Sequence, residues 1–206
     1  MADIGCGTGI LSRLLLEAGA EVFGVEPNPE MRQAGRRILG DEPRFHSIEG
    51  RAEATTLPDA SIDLVTAAQA FHWFDPEPAR AEFRRILKPR GWVALIWNER
   101  LQSAGFMDRY EAAIREYAPE HPRIRPGDIA DFFRGGVWRL AKFPNQQLLD
   151  REGLHGRLAS SSYAPFPGTP GFQTLTAELD GLFDAYQRDG YVTVLYETSL
   201  FYGSWA

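Results

Sequence analysis

The sequence predicts an α/β fold in which a doubly wound, mostly parallel sheet is covered by helices on both faces. Three observations carry this. Over the first hundred residues, short apolar runs alternate with segments of helical period. The apolar runs lack polar alternation, as strands buried on both faces do. A glycine loop, DIGCGTG at residues 3–9, joins the first such run to the first helical segment.

The elements follow in order. MADIG is a short strand ending at Gly5. ILSRLLLEAG carries an apolar stripe at Ile10, Leu11, Leu14, Leu15 and Ala18, with Gly19 as the stop. AEVFGVE reads as a buried strand. In NPEMRQAGRRIL, Asn28 is a suitable N-cap and Pro29 suits the first turn. RFHSIEG is a shorter strand, and SIDLVTAAQA is apolar after Asp63. In DPEPARAEFRRILKP, Asp75 caps, Pro76 starts, Phe83, Ile86 and Leu87 form the buried face, and Pro89 ends the helix. GWVALIWN is a fifth strand, apolar on both faces.

Beyond residue 100 the rhythm breaks. FMDRYEAAIREY is a helix, DIADFFRG a short one, and VWRLAKF a strand. Residues 150 to 190 hold two more helices. The second has a stripe at Phe172, Leu175, Leu179, Leu182, Phe183 and Tyr186. The loop SSSYAPFPGTPG separates them, and YVTVLYETSLFYG closes the chain as a β-branched and aromatic strand.

Composition narrows the function classes. A net charge of −6 over 206 residues, with arginines interspersed among acids, argues against a nucleic-acid surface. The single cysteine, Cys6, allows no internal disulfide. No apolar run approaches the ~20 residues that span a bilayer, and the first residues lack the order of a secretory signal. The expectation is a cytoplasmic protein without a membrane partner. Oligomeric state is not readable. The histidines, His46, His72, His121 and His155, have no metal-ligand spacing with one another or with Cys6, so no metal is expected.

The glycine loop carries the chemistry. Gly5, Gly7 and Gly9 follow a strand and open a helix, where free N–H groups and close backbone approach favour a ligand. Their spacing is G-x-G-x-G, tighter than the G-x-G-x-x-G turn that takes a pyrophosphate. With Asp3 ahead of it, the loop suits a ligand bearing an amino acid and no phosphate. Glu26 ends the next strand seventeen residues after Gly9 and can take both hydroxyls of a ribose. Pro27 and Met31 can wall an adenine, and Ala52 and Glu53 in GRAEATTLP can read its edge. Each has a plainer reading: a tight turn for the glycines, a loop cap for Asp3, a packed filler for Cys6, and solvated carboxylates for Glu26 and Glu53.

DIGCGTG, GVEPNPEM, AEATTLPDASIDLV, AQAFHWFD and RILKPRGWVALIWNE, in this order, resemble a class I S-adenosylmethionine-dependent methyltransferase. The group it resembles includes ubiquinone-biosynthesis and trans-aconitate methyltransferases. The likeness covers residues 1 to about 100 and loosens beyond. It implies a Rossmann-like sheet of seven strands ordered 3-2-1-4-5-7-6, the last antiparallel. It also implies one methyltransferase domain over 1–206, with a cofactor core at 1–100, a variable part with a helical substrate cap at 101–190, and a terminal strand at 191–206. The cofactor implied is S-adenosyl-L-methionine. Asp3, Gly5, Cys6 and Gly7 would surround its methionine part with Gln69, Glu26 its ribose, and Pro27, Met31, Ala52 and Glu53 its adenine.

The acceptor expected is a small molecule. Phe71, Trp73, Trp97 and Tyr163 are candidates for its pocket, with core packing an equal reading for Trp97. His72 is the candidate general base, against a reading as one ring of an aromatic cluster with Phe71, Trp73 and Phe74. The resemblance also implies helices ahead of the glycine loop, so the expectation is that the protein begins upstream of Met1. A native mass near 23.1 kDa would overturn that. Two other functions stay open: a nicotinamide-dependent oxidoreductase, which the glycine spacing disfavours, and a truncated, non-catalytic cofactor binder.

Overall fold

The structure, a computed structural model, describes residues 1–117, 126–161 and 164–205. Seven strands form one sheet in the order β3-β2-β1-β4-β5-β7-β6. They are β1 Ala2–Ile4, β2 Val22–Glu26, β3 Phe45–Glu49, β4 Ile62–Ala68, β5 Leu87–Arg100, β6 Val137–Leu149 and β7 Val192–Ser204. The pairs β1–β2, β1–β4, β2–β3 and β4–β5 are parallel, and β7 is antiparallel, giving the Rossmann-like sheet. All three residues of β1 are buried, which fits a strand with a neighbour on each edge. In register, Ala2 faces Phe23 and Val65, and Glu26 faces Glu49.

The helices are α1 Ile10–Glu17, α2 Pro29–Leu39, α3 Pro76–Ile86, α4 Phe106–Tyr117, α5 Pro126–Phe132, α6 Arg151–Ala159 and α7 Pro170–Tyr186. A 3-10 turn lies at Phe71–Trp73. Helix α2 begins as expected: the Asn28 side chain accepts the Glu30 and Met31 N–H groups, and Pro29 stands at the first position.

The chain divides into two compact units. The first comprises residues 1–97, 123–142 and 199–206. Its core joins Ile4, Val25, Val65 and Leu95 from the sheet to Phe83 and Ile86 of α3, and to Phe132 and Phe133. The second comprises residues 98–122 and 143–198. Its core joins Tyr110 and Ile114 of α4 to Leu154 and Leu158 of α6, Leu175, Leu179 and Phe183 of α7, and Val194.

Three expectations are corrected. The buried residues of α1 are Ser12 and Leu16, while Ile10 is 73% exposed and Leu14 is exposed. Its rotation follows a hydrogen bond from Ser12 described below, which outweighs the apolar stripe. Helix α3 ends at Ile86, before Pro89, because Leu87 turns extended and begins β5. On β5, Trp92 is exposed, so that strand is covered less completely than its composition suggests.

Candidate functional site

The tips of β1 and β2 meet at the glycine loop. The Gly5 and Cys6 N–H groups both bond the Val25 carbonyl, so β2 anchors the loop directly. Gly5 and Gly7 have φ of +68° and +57°, in the left-handed region that glycine enters without cost. Their surroundings differ. A Cβ on Gly5 would lie 2.7 Å from that of Ala70, so close packing excludes one. A Cβ on Gly7 would meet Met31 Sδ at 3.6 Å, an ordinary van der Waals contact, so crowding does not exclude one there. Close packing accounts for Gly5; at Gly7 the positive φ is the constraint.

Glu26 points its carboxylate at this loop. Oε2 accepts the Gly7 N–H at 2.9 Å, and Oε1 accepts the Asn28 N–H at 2.8 Å. An ionised carboxylate offers about four lone-pair sites, so capacity remains for further donors such as hydroxyls. The solvated strand end is thereby excluded for Glu26, which is buried.

Asp3 is also buried, in a different way. Ser12 Oγ donates to its Oδ2 at 2.7 Å and Thr66 Oγ1 to its Oδ1 at 3.2 Å. Burial pushes the carboxyl up to about 6, against the pull of these two hydroxyls. The two bonds tie α1 and β4 to β1. Cys6 is pushed up to about 12, mainly by burial and then by Asp3 and Glu26. Its Sγ lies 3.0 Å from where a Cβ on Gly24 would stand, which suits a packed filler and not a thiolate.

On the adenine side, Pro27 and Met31 are exposed beside the loop. Ala52 is buried, and Glu53 Oε1 accepts the Asp75 N–H at 2.9 Å at the start of α3. The segment after Glu53 is pinned by α3. The Thr55 N–H and hydroxyl both donate to Glu82 Oε1, at 2.7 and 2.6 Å. Arg85 donates to the Leu57 carbonyl and to Glu82 and Asp59. Hydrogen bonding from Arg85 is the main reason the Glu82 carboxyl falls to about 2.

The aromatic group after β4 splits. Gln69 is exposed, with φ of +55°, and its N–H bonds the Ile96 carbonyl. Phe71 is buried edge-on to Phe132. His72 has both ring nitrogens shielded and packs against Trp73 and Trp97 at 4.7 and 5.1 Å between ring centroids. Trp97 is buried, whereas Trp73 is 70% exposed. Tyr163 lies outside the described residues. No cluster of three or more metal-ligating side chains occurs among the described residues.

Sequence reasoning passed over Ser12, Arg32, Thr66 and Glu82. Ser12 and Thr66 had a usable signal, a hydroxyl inside an otherwise apolar run. Arg32 and Glu82 look like ordinary surface charges in sequence.

Comparisons with known proteins bear on the family and the fold. The family described as a methyltransferase domain matches residues 2–95. An uncharacterized methyltransferase-like protein of Schizosaccharomyces pombe is 30% identical over 97% of this chain and 79% of its own length. An uncharacterized methyltransferase of Mycobacterium tuberculosis is 42% identical over 59% of this chain. The match spans about half (49%) of that relative. The solved structure of Haemonchus contortus phosphoethanolamine N-methyltransferase 2, in complex with phosphomonomethylethanolamine and S-adenosylhomocysteine, shares the fold. Its TM-score is 0.58 at 17% identity, over 100% of this chain and 48% of the other. The chain belongs to the class I S-adenosylmethionine-dependent methyltransferases, whose cofactor is S-adenosyl-L-methionine. Family membership sets aside the nicotinamide reading.

Proposed function

We propose that this class I methyltransferase transfers a methyl group from S-adenosyl-L-methionine to a small-molecule acceptor, by in-line displacement at the methyl carbon. The observation that carries the reading is the Glu26 carboxylate, buried at the tip of β2 and hydrogen-bonded to the Gly7 N–H with lone pairs to spare. Bound, the cofactor supplies a methyl already activated on a sulfonium whose leaving group is a neutral thioether. The chain's own residues bind and orient it. Glu26 takes the ribose hydroxyls, and Gly7, less crowded than Gly5, borders the amino-acid end with Gly5 and Cys6. Asp3, its oxygens held by Ser12 and Thr66, reaches an ammonium through water. Pro27 and Met31 wall the adenine, and Ala52 and Glu53 read its edge. Gln69 flanks the methionine part.

Positioning of this kind is worth up to ~7–11 kcal/mol of the barrier in favourable cases. On the acceptor side, Trp73 presents an exposed ring, backed by His72, which packs in turn on Trp97, with Phe71 buried nearby in sequence. An aromatic face stabilises a nearby cation by ~0.5–2 kcal/mol. His72 is the candidate base only for an acceptor that must lose a proton, and its two shielded ring nitrogens would have to be uncovered to reach it. The small acceptor is supported by the absence of a basic stripe in the sequence and by the likeness to ubiquinone-biosynthesis and trans-aconitate methyltransferases. The single cysteine is compatible with a cytoplasmic setting. Isothermal titration with S-adenosylhomocysteine, followed by labelled methyl transfer into a small-molecule extract, tests the reading. Binding with a labelled product is expected; binding without any product would favour a non-catalytic cofactor binder.

A further inference from the structure

We infer that Arg32 is a positioning residue that fixes the ribose carboxylate of Glu26 without touching it. The inference rests on the reading of Glu26 as the ribose acceptor. Arg32 sits on the first turn of α2, and its side chain is only 11% exposed. Nη1 donates to the Glu26 carbonyl at 2.9 Å and the Pro27 carbonyl at 3.2 Å. Nη2 donates to Glu49 Oε2 at 2.8 Å. One guanidinium therefore grips the backbone on both sides of the Glu26–Pro27 corner and a carboxylate on the neighbouring strand.

Charge explains the arrangement. Glu26 and Glu49 are register partners at the adjacent tips of β2 and β3. Two carboxylates side by side repel, and like charges directly opposite destabilise a sheet. Arg32 claims Glu49 on the outer side, while the Gly7 and Asn28 N–H groups draw the Glu26 carboxylate inward. The guanidinium takes only the main-chain oxygen of Glu26, so the free lone pairs of its carboxylate stay available to a ligand. The planar fork reaches the two carbonyls with one nitrogen and Glu49 with the other; an ammonium has three donors but all on one nitrogen, so it does not span the same acceptors.

The test is isothermal titration of wild type, Arg32→Gln and Arg32→Lys with S-adenosylhomocysteine and with its 2′,3′-dideoxy analogue, together with thermal denaturation. Wild type should prefer the ligand bearing both hydroxyls. Arg32→Gln should bind it about tenfold more weakly, the scale on which outer-shell partners act, with affinity for the dideoxy analogue little changed. The preference thus narrows. Arg32→Lys should show the same narrowing to a lesser degree, and it keeps the test usable if the glutamine variant fails to fold. An equal loss for both ligands would mean a merely structural role and overturns the inference. Unchanged affinities overturn it too. If wild type itself shows no preference between the ligands, the ribose reading of Glu26 fails first, and the role of Arg32 falls with it.

Discussion

Strands β1 and β2 each bring one acidic side chain to the glycine loop, and the two meet different partners. Asp3, the middle residue of β1, accepts one side-chain hydroxyl on each oxygen and has its carboxyl pushed up to about 6 by burial. Glu26, at the tip of β2, faces backbone N–H groups, and a guanidinium grips its main chain. Each carboxylate accepts one bond per oxygen, and the difference lies in the donors: side-chain hydroxyls of α1 and β4 for Asp3, main-chain N–H groups of the loops after β1 and β2 for Glu26. The hydroxyls tie two elements to β1, whereas the N–H groups hold the Glu26 carboxylate beside the glycine loop.

Ways to break this contrast can be ranked. Leu16→Ala, which removes the buried side chain that packs α1 with Val22 and Leu39, should cost ~2–5 kcal/mol of stability by chemical denaturation. Glu26→Ala should leave stability less affected but weaken S-adenosylhomocysteine binding by ~1.5–3 kcal/mol, the worth of hydrogen bonds to a charged group. Titration calorimetry reads this, and unchanged affinity would erase the distinction between the two acids.

The pH response sharpens it. The carboxyl of Asp3 titrates near 6 in the fold against an ordinary value of 3.8. Between about pH 4 and pH 6 the unfolded chain therefore releases this proton first. The stability from this group is full below about pH 4 and falls as pH rises through 6. Comparing Asp3→Asn with wild type by urea denaturation should show wild type losing up to ~3 kcal/mol relative to the variant across that window. Glu82 runs the other way: its stabilisation, present above about pH 4.5, is lost as pH falls towards 2. A flat difference between Asp3→Asn and wild type would mean that Asp3 is solvated. The smallest effect is expected at the exposed side of α1, where Ile10→Ser should shift stability by no more than ~0.5 kcal/mol.

These predictions separate what could be read from residue order and what could not. Asn28 and Pro29 set the start of α2 by local chemistry, and the structure agrees. The stripe on α1 misleads because periodicity identifies a helix without saying which face has a partner. One buried hydroxyl–carboxylate bond, Ser12 to Asp3, fixes the rotation instead. Leu87 reads as the last apolar residue of α3 but opens β5, since helix and strand ends are decided by pairing partners distant in sequence. At the candidate site, Glu26 and the glycines are legible because backbone angle and strand-end position are local properties. Arg32 and Glu82 are not, because an arginine or glutamate on a helix looks solvated until the fold brings a carbonyl or a threonine against it.

By itself, the sequence determined the order of strands and helices, the loop of Gly5, Gly7 and Gly9, and an acid in each of the first two strands. Those follow from short-range sterics and periodicity. Only the tertiary structure decided which donors reach each acid: hydroxyls from α1 and β4 at Asp3, main-chain N–H groups from the glycine loop and from the residue ahead of α2 at Glu26. Their arrival depends on the packing of the whole sheet.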